Sequence, residues 1–473
     1  MTAIPLPVLS APGRHPQAAG GRLVNTYPDQ LAATAGQQLA YWRVPGLKLF
    51  AETAQTSFRG GQQIGNLAYC VLDDKVLTVD SSGVVSTLTG VPVPGTAPVI
   101  ISRDNAATPN IVIVAPGDGA VIVTSSGVEN YPDADVGQPN SVYNLKSFFI
   151  FTYGDGTVRN SDSNSTNINT LNFAAAESKP DTLYAAFPLT NGDLGLAGSA
   201  STEFWGGEND TGFVFSYIST AFRGIVGPYA ITGYQDGFGK GVFAVTDDFT
   251  VSALSGYQWQ SISSPDVEDD IAALPDKSVI VVSSYVARGR GFVTVTAPGL
   301  WTWEYDCKLQ SWHERESYLQ PYWRALYPFK AFDRWLCGDA LSGNILEIDG
   351  PTQDELGEPL RMRLETGPFG AFPSSIRINS VELFLTKGVG IAPGTDPVQT
   401  DPDIEISISR DGGMTWSNPR PVSLGRQSLT DGRVRSSVWG VCKDPQGVRW
   451  RFDESSNVNF AFMGADMKAD KLR

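Results

Sequence analysis

The sequence predicts an all-β chain, a six- or seven-bladed β-propeller followed by a β-sandwich-like domain, and three observations carry that expectation. Composition comes first. Charged residues make up 18% of the 473 residues, below the roughly 25% of ordinary soluble domains, while 49 Gly, 31 Pro and 11% aromatics stand in their place. Sheets joined by many tight turns need those residue types, and helices do not. Second, a strand–turn–strand theme recurs between about residues 55 and 350. Third, the texture changes after residue 350 to cleanly alternating strands.

Residues 1–54 read as an extended N-terminal arm, with Pro and Gly early and a short helical periodicity over Gln30–Trp42. The repeats then begin. Ala68–Leu72 leads through Val76–Val79 to the turn Asp80-Ser81-Ser82-Gly83, and Ile111–Val114 leads through Val121–Val123 to Thr124-Ser125-Ser126-Gly127. Further members start near Ser147–Phe151, Leu194–Leu196, Val242–Val245, Phe292–Val295 and Trp335–Cys337. The spacing of roughly 36–48 residues is that of propeller blades, whose faces are hidden only against their neighbours. Stacked β-sandwiches also show short strands and frequent turns, but without this period. The propeller is placed at residues 55–350.

Pro351–Pro359 reads as a polar linker and residues 360–473 as a separate sandwich. There Ile376 and Ile378, Val381, Leu383 and Leu385, and Ile404, Ile406 and Ile408 alternate with polar positions, giving one buried and one wet face. Gly388–Asp403 reads as a loop and Met467–Arg473 as a polar tail, mobile or bound to a partner.

The net charge of −15 disfavours wrapping around nucleic acid, which needs an excess of Lys and Arg. The same charge fits a solvated acidic surface or an acidic wall past which DNA slides. Cys70, Cys307, Cys337 and Cys442 form no C-x-x-C pair and read as free thiols of a reducing cytoplasm. The first residues lack a basic region followed by an apolar run, so no secretory signal is expected there.

Catalytic motifs are not found. There is no G-x-S-x-G elbow, and only His15 and His313 are available as bases, the latter reading as a packed strand residue. Gly237-Phe238-Gly239-Lys240-Gly241 lacks the P-loop spacing and the magnesium-binding hydroxyl, so it reads as a turn. Asp133-Ala134-Asp135 and Ser161–Asn164 offer oxygens without a full calcium loop. No metal, cofactor or catalytic residue is therefore assigned. One motif is specific: Ser409, Asp411, Gly413, Thr415 and Trp416 form an Asp-box, S-x-D-x-G-x-T-W. Its Asp is expected to accept backbone hydrogen bonds across a hairpin, with Trp packed beneath.

Several segments together resemble the packaged-DNA stabilisation proteins, also called tail hub or nozzle proteins, of short-tailed bacteriophages. They are Arg22–Tyr27 (R-L-V-N-T-Y), Pro45-Gly46-Leu47 with Arg59-Gly60-Gly61, Tyr305-Asp306 with Trp312–Arg315, Leu364–Gly367, and the Asp-box running into Trp416–Gly425. After Gly425 the family's Arg-rich strand appears in altered form around Arg433-Val434-Arg435 and Arg449-Trp450-Arg451. The resemblance implies a virion tail protein made in the host cytoplasm, with no chemistry of its own. It implies a ring, commonly a homo-hexamer, below the portal adaptor. That ring seats a tail needle, tailspikes or fibres, and lets DNA pass without specific binding. Asp266, Glu268, Asp269 and Asp270 are then candidates for an acidic channel lining. A carbohydrate-binding or glycan-cleaving propeller is the rival reading, suggested by the Asp-box and the aromatics; it requires an axial pocket lined with carboxylates and Trp. A receptor-binding subunit would more often be a fibrous trimer, and such repeats are not seen.

Overall fold

A computed structural model describes residues 2–32, 38–176, 178–207, 209, 212–370, 374–392, 397–443 and 445–472. The chain divides into two compact units, one of Met1–Lys48, Gly299–Trp323 and Asp349–Arg473, the other of Leu49–Pro298 and Arg324–Ile348.

The second unit is built from antiparallel sheets traced in order. Five are four-stranded meanders, with first strands Phe58–Ile64, Ile100–Arg103, Ser141–Leu145, Leu183–Pro188 and Ile231–Thr232. Val281–Ala287 pairs with Arg290–Ala297 as a sixth, and Ala325–Ala331, Arg334–Asp339 and the strand from Ile345 form a seventh. The seven first strands begin 41–50 residues apart, and the last lies beside the first. The seventh sheet takes a strand from before the first, through Leu49–Ala51, which closes the circle. Among the described residues this is a seven-bladed propeller, within the expected range.

The second strand of each sheet is buried on both faces. In Ile111–Ala115, Ile111, Ile113 and Ala115 pack with Val71 and Val76 of the first sheet. Val112 and Val114 pack with Phe149 and Phe151 of the third. A second strand wedged between two neighbours therefore reads as a continuous apolar run. Turn chemistry closes the hairpins. Asp80 Oδ1 accepts from Ser82 N (2.8 Å) and Val84 N (3.0 Å), and Gly83 takes φ +85°.

The first unit is a β-sandwich. One sheet runs in the order Thr26–Gln30, Leu39–Arg43, Ala461–Leu472, Ser375–Leu385, Arg435–Cys442. The other contains Trp301–Asp306, Ser311–Glu314, Gly21–Val24, Met362–Thr366, Arg449–Glu454, Asp403–Ser409 and Arg420–Ser423. Between them lie Leu23, Tyr41, Leu364, Ile378, Val381, Ile406, Trp450 and Phe462.

Three expectations need correction. The N-terminal segment is not an extended arm, because Leu23 and Tyr41 enter the sandwich core and fix their strands there. The helical reading of Gln30–Trp42 fails at both ends, which are strands, and residues 33–37 lie outside the described residues. Leu39–Arg43 has buried residues on both faces, a run that imitates helical spacing. The polar tail is the end of strand Ala461–Leu472, paired along Ser375–Leu385.

Candidate functional site

Two regions concentrate polar chemistry. The first is the outward face of a sandwich sheet. In Met362–Thr366, Leu364 points into the core, so Arg363 and Glu365 point away from it; Arg449–Glu454 alternates in the same way about Trp450 and Phe452. Neighbouring strands then set opposite charges side by side. Arg22 makes a two-pronged ion pair with Glu314, its Nε 3.0 Å from Oε1. Arg363 holds Asp453 through two bonds of 2.7 and 3.0 Å. Glu365 accepts from Arg451 Nε (2.7 Å) and Arg449 Nη2 (3.3 Å). Burial opposes the charge on Arg22, but the hydrogen bond and attraction of Glu314, with Glu365 and Glu316, outweigh it and raise its pKa.

The Asp-box borders this ladder. Asp411 accepts from Ser409 Oγ (2.7 Å), Thr415 N (3.0 Å) and Thr415 Oγ1 (2.5 Å), while Ser409 Oγ accepts from Gly413 N (2.8 Å). Partial burial works to raise the Asp411 pKa. The bonds from Thr415, Ser409 and the Met414 amide prevail and hold it at about 2. Gly412 and Gly413 take φ +71° and +106°, conformations that L side chains rarely adopt. The Trp416 ring lies 3.9 Å from the Arg451 guanidinium. Arg410, inside the box, donates through Nε and Nη2 to Trp439 O (3.0 and 2.7 Å). Ser409, Asp411, Gly413 and Thr415 thus share one hydrogen-bonded turn, and Trp416 lies against Arg451. The Asp411 carboxylate is committed to the turn, and those of the ladder to arginines, so the arrangement stiffens a sheet and offers no general acid–base pair.

The second region is one end of the propeller unit. A four-stranded antiparallel meander returns the chain to the end where it began. The turns between second and third strands therefore share an end with the connectors between sheets. Contacts agree: Gly117 N bonds Pro139 O (3.0 Å), Asp247 N bonds Gly224 O (3.1 Å), and Asp181 accepts from Ala200 N (2.9 Å). Helix Pro265–Ala273 is one such connector, anchored by buried Val267 and Ile271. Asp266, Glu268, Asp269 and Asp270 stand on it, so the structure brings the four sequence candidates together. Asp266 and Glu268 in its first turn complement the helix dipole, and Glu268 also accepts from Ser263 Oγ (2.7 Å). The same end carries Asp73, Asp118, Asp155, Asp248 and Asp276, set against Lys179, Arg223 and Lys277. At the opposite end Arg103, Lys146, Arg288 and Lys330 balance Asp80, Asp162, Asp236 and Asp333.

The remaining sequence candidates fall into structural roles. His313 is buried with Nε2 2.7 Å from Glu304 Oε1. Gly237–Gly241 lies in a hairpin connection of the fifth sheet. Asp133 caps a short 3-10 turn, accepting from Asp135 N (3.0 Å). Among the described residues no group of His, Cys, Asp or Glu is arranged to hold a metal ion. The Arg59-Gly60-Gly61 passage has its own cause. The Arg59 guanidinium donates to the carbonyls of Ala97, Asp73, Val93 and Pro94, and a Cβ on Gly61 would meet the Phe329 ring at 2.7 Å. The charge ladder was missed in the sequence, although its signal is present. R-L-V, M-R-L-E-T and R-W-R-F-D place a charge at every second position around core residues.

Comparison with known families gives two matches. Residues 16–353 match the family model described as Bacteriophage P22 Gp10, beta-propeller, and residues 366–468 the one described as Bacteriophage P22 Gp10, beta-sandwich. No curated protein matches the chain. Similar solved structures include the RRP9 WD40 repeats, with 10% identity, 65% of this chain and 99% of that one, and a TM-score of 0.41. YCF48 bound to D1 peptide has 11% identity, 65% and 97% coverage, and a TM-score of 0.40. PorZ of Porphyromonas gingivalis has 13% identity, 72% and 45% coverage, and a TM-score of 0.38.

Proposed function

Because the chain belongs to the Bacteriophage P22 Gp10 family of phage tail structural proteins, we propose that it is a nozzle subunit. Copies of it close a ring, a homo-hexamer, below the portal adaptor, seat a needle, spikes or fibres, and keep packaged DNA from leaking until ejection. The observation that carries this reading is the paired match, propeller and sandwich, spanning both parts of the chain. The subunit acts by shape and charge and is not an enzyme. It assembles in the host cytoplasm.

Charge supports the passage role. A duplex carries one negative charge per roughly 1.7 Å of axis, so a basic wall would hold it. The acidic propeller end, with helix Pro265–Ala273, supplies the opposite surface, and we assign it to the channel wall. Repulsion acts within about a Debye length, roughly 8–10 Å. DNA is then retained by a plug or steric gate and slides freely once that gate opens.

The test is DNA binding by the assembled ring across a salt series. Weak binding at every salt concentration is expected. Tight binding at low salt that weakens steeply as salt rises would mean a basic, counterion-releasing wall and would overturn the passage reading. Assays of the same ring with sialosides and host polysaccharide should show no turnover. Turnover lost in Asp411→Ala would favour the glycan-cleaving alternative.

A further inference from the structure

Each of the five four-stranded sheets ends in an outer strand that pairs on one side only. In the first, second and fifth sheets those strands are Val85–Thr87, Gly127–Asn130 and Gln258–Ser261. They are three or four residues long and expose no large apolar side chain. The third and fourth sheets differ. Their outer strands, Ile168–Ala175 and Ser216–Ala221, are eight and six residues long and carry no charged residue. They leave Leu171, Phe173, Tyr217 and Ile218 in water, with Phe222 just beyond the second strand. Leu171 is 75% exposed and Phe222 72%.

These two strands border one surface. Ser178 Oγ, just after the first, lies 2.7 Å from Thr220 Oγ1 of the second, and that hydroxyl is 3.0 Å from Tyr217 Oη. Beneath them Ala174 and Trp205 pack on a cluster that holds Phe213, and Trp205 meets Tyr217 edge to face at 5.8 Å. A fully buried aromatic side chain covers ~150–250 Å², so the five exposed side chains leave roughly 500–700 Å² of apolar surface in water. Monomeric proteins rarely expose more than a few hundred Å² in one patch, and a standard interface buries about 800 Å² per partner.

We propose that this surface, on the outer strands of the third and fourth sheets, is where one copy of the chain packs against the next. The proposal rests on the ring reading and names the contact that would close the ring. Charge selects the occupant. The chain carries −15, so a basic partner is drawn to its acidic surfaces, whereas a second copy is repelled by them. Copies approach with least repulsion across a surface without charges. Protein interfaces have this anatomy, an aromatic and apolar centre depleted of charge inside a polar rim. Lys179, whose Nζ stands 5.8 Å from the Phe222 ring, and Asp193, which with Ile218 flanks Gly206, stand at such a rim. Strand addition is the less suitable mode. Both outer strands slip register against their neighbours, opposite Arg159–Ser161 and Phe204–Trp205. A bulged edge resists a further strand, so the contact is made by side chains.

The test is sedimentation velocity of the full chain over a concentration series. Wild type should assemble. Leu171→Glu and Phe222→Glu should each raise the concentration of half-assembly at least about tenfold, because a charge is then buried at the contact. Val84→Glu changes another exposed apolar residue, on a turn of the first sheet, and should shift it less than about twofold. All three variants should melt with wild type. Assembly unchanged in both Leu171→Glu and Phe222→Glu, or an equal loss in Val84→Glu, would overturn the proposal and leave the ring reading standing. Wild type that stays monomeric at every concentration would overturn both. Should a glutamate variant fail to fold, Leu171→Cys decides. Maleimide, followed by peptide mass spectrometry, should modify that cysteine at least about tenfold more slowly in the ring than in the monomer. Equal rates would overturn the proposal.

Discussion

The apolar layers between the propeller sheets and the buried ion pair of the sandwich hold the chain in different ways. Between the propeller sheets lie layers of Val, Ile, Leu and Phe, as where Val112 and Val114 meet Phe149 and Phe151. Both units also take charges out of water: in the propeller Arg324 holds Asp339 through bonds of 2.8 and 2.6 Å, and the sandwich buries a pair more deeply still. Arg43 and Glu454, each 1% exposed, form an ion pair, and Arg43 Nη1 donates to the carbonyls of Gln353 and Ser456 at 2.8 Å. An apolar layer tolerates small shape changes at graded cost. A buried ion pair is all or nothing, because removing one partner strands the other.

That contrast can be broken at single positions. Arg43→Leu should cost the sandwich about 3–5 kcal/mol, because Glu454 is left buried without its guanidinium. Denaturant unfolding followed by a reporter in each unit measures it. A cost below ~1 kcal/mol would show that the pair is not what holds this region. In the propeller, Ile113→Ala should cost about 2–5 kcal/mol, and Ile113→Val only about 0.5–1.5, the graded response of an apolar layer. Equal costs for the two would contradict that view.

Asp411→Ala removes bonds at a partly exposed turn and should cost about 1 kcal/mol. Its pH dependence sharpens the prediction. The folded-state pKa, about 2, lies below the ordinary 3.8. The contribution is therefore complete above pH 3.8 and is lost as pH falls toward 2. Wild type and Asp411→Ala should converge in stability over that window, and a constant gap would contradict the assignment. The smallest effect has the opposite sign. Val438, at φ +62°, sits at a register shift in its strand with its side chain 76% exposed. Val438→Gly should stabilise the sandwich by about 0.5 kcal/mol, strain relief being partly offset by the entropy of glycine. A destabilisation above ~1 kcal/mol would mean that the valine makes a contact worth its strain.

The same difference decided what could be read from sequence. The recurring anchors, from Ala68–Leu72 to Trp335–Cys337, coincide with the second strand of each of the seven sheets. Those strands pack between two neighbours and so spell unbroken apolar runs. The first strands were not legible. Phe58–Ile64 reads F-R-G-G-Q-Q-I, because glycines admit the Phe329 ring and polar residues face the axis. Ile231–Thr232 is too short to carry a period. The turn of the Asp-box was legible, since the hydrogen bonds among Ser409, Asp411, Gly413 and Thr415 lie within seven residues; the partners of Arg410 and Trp416 on other strands were not. The ladder of Arg22, Glu314, Glu365 and Arg451 joins residues hundreds of positions apart, and pairing across strands cannot be read from a single strand.

The most direct test of the account is a projection image of the purified full chain at concentrations that permit assembly. The nozzle reading predicts closed rings with six-fold symmetry and an open centre. Monomers at every concentration, or fibrous trimers, would contradict it.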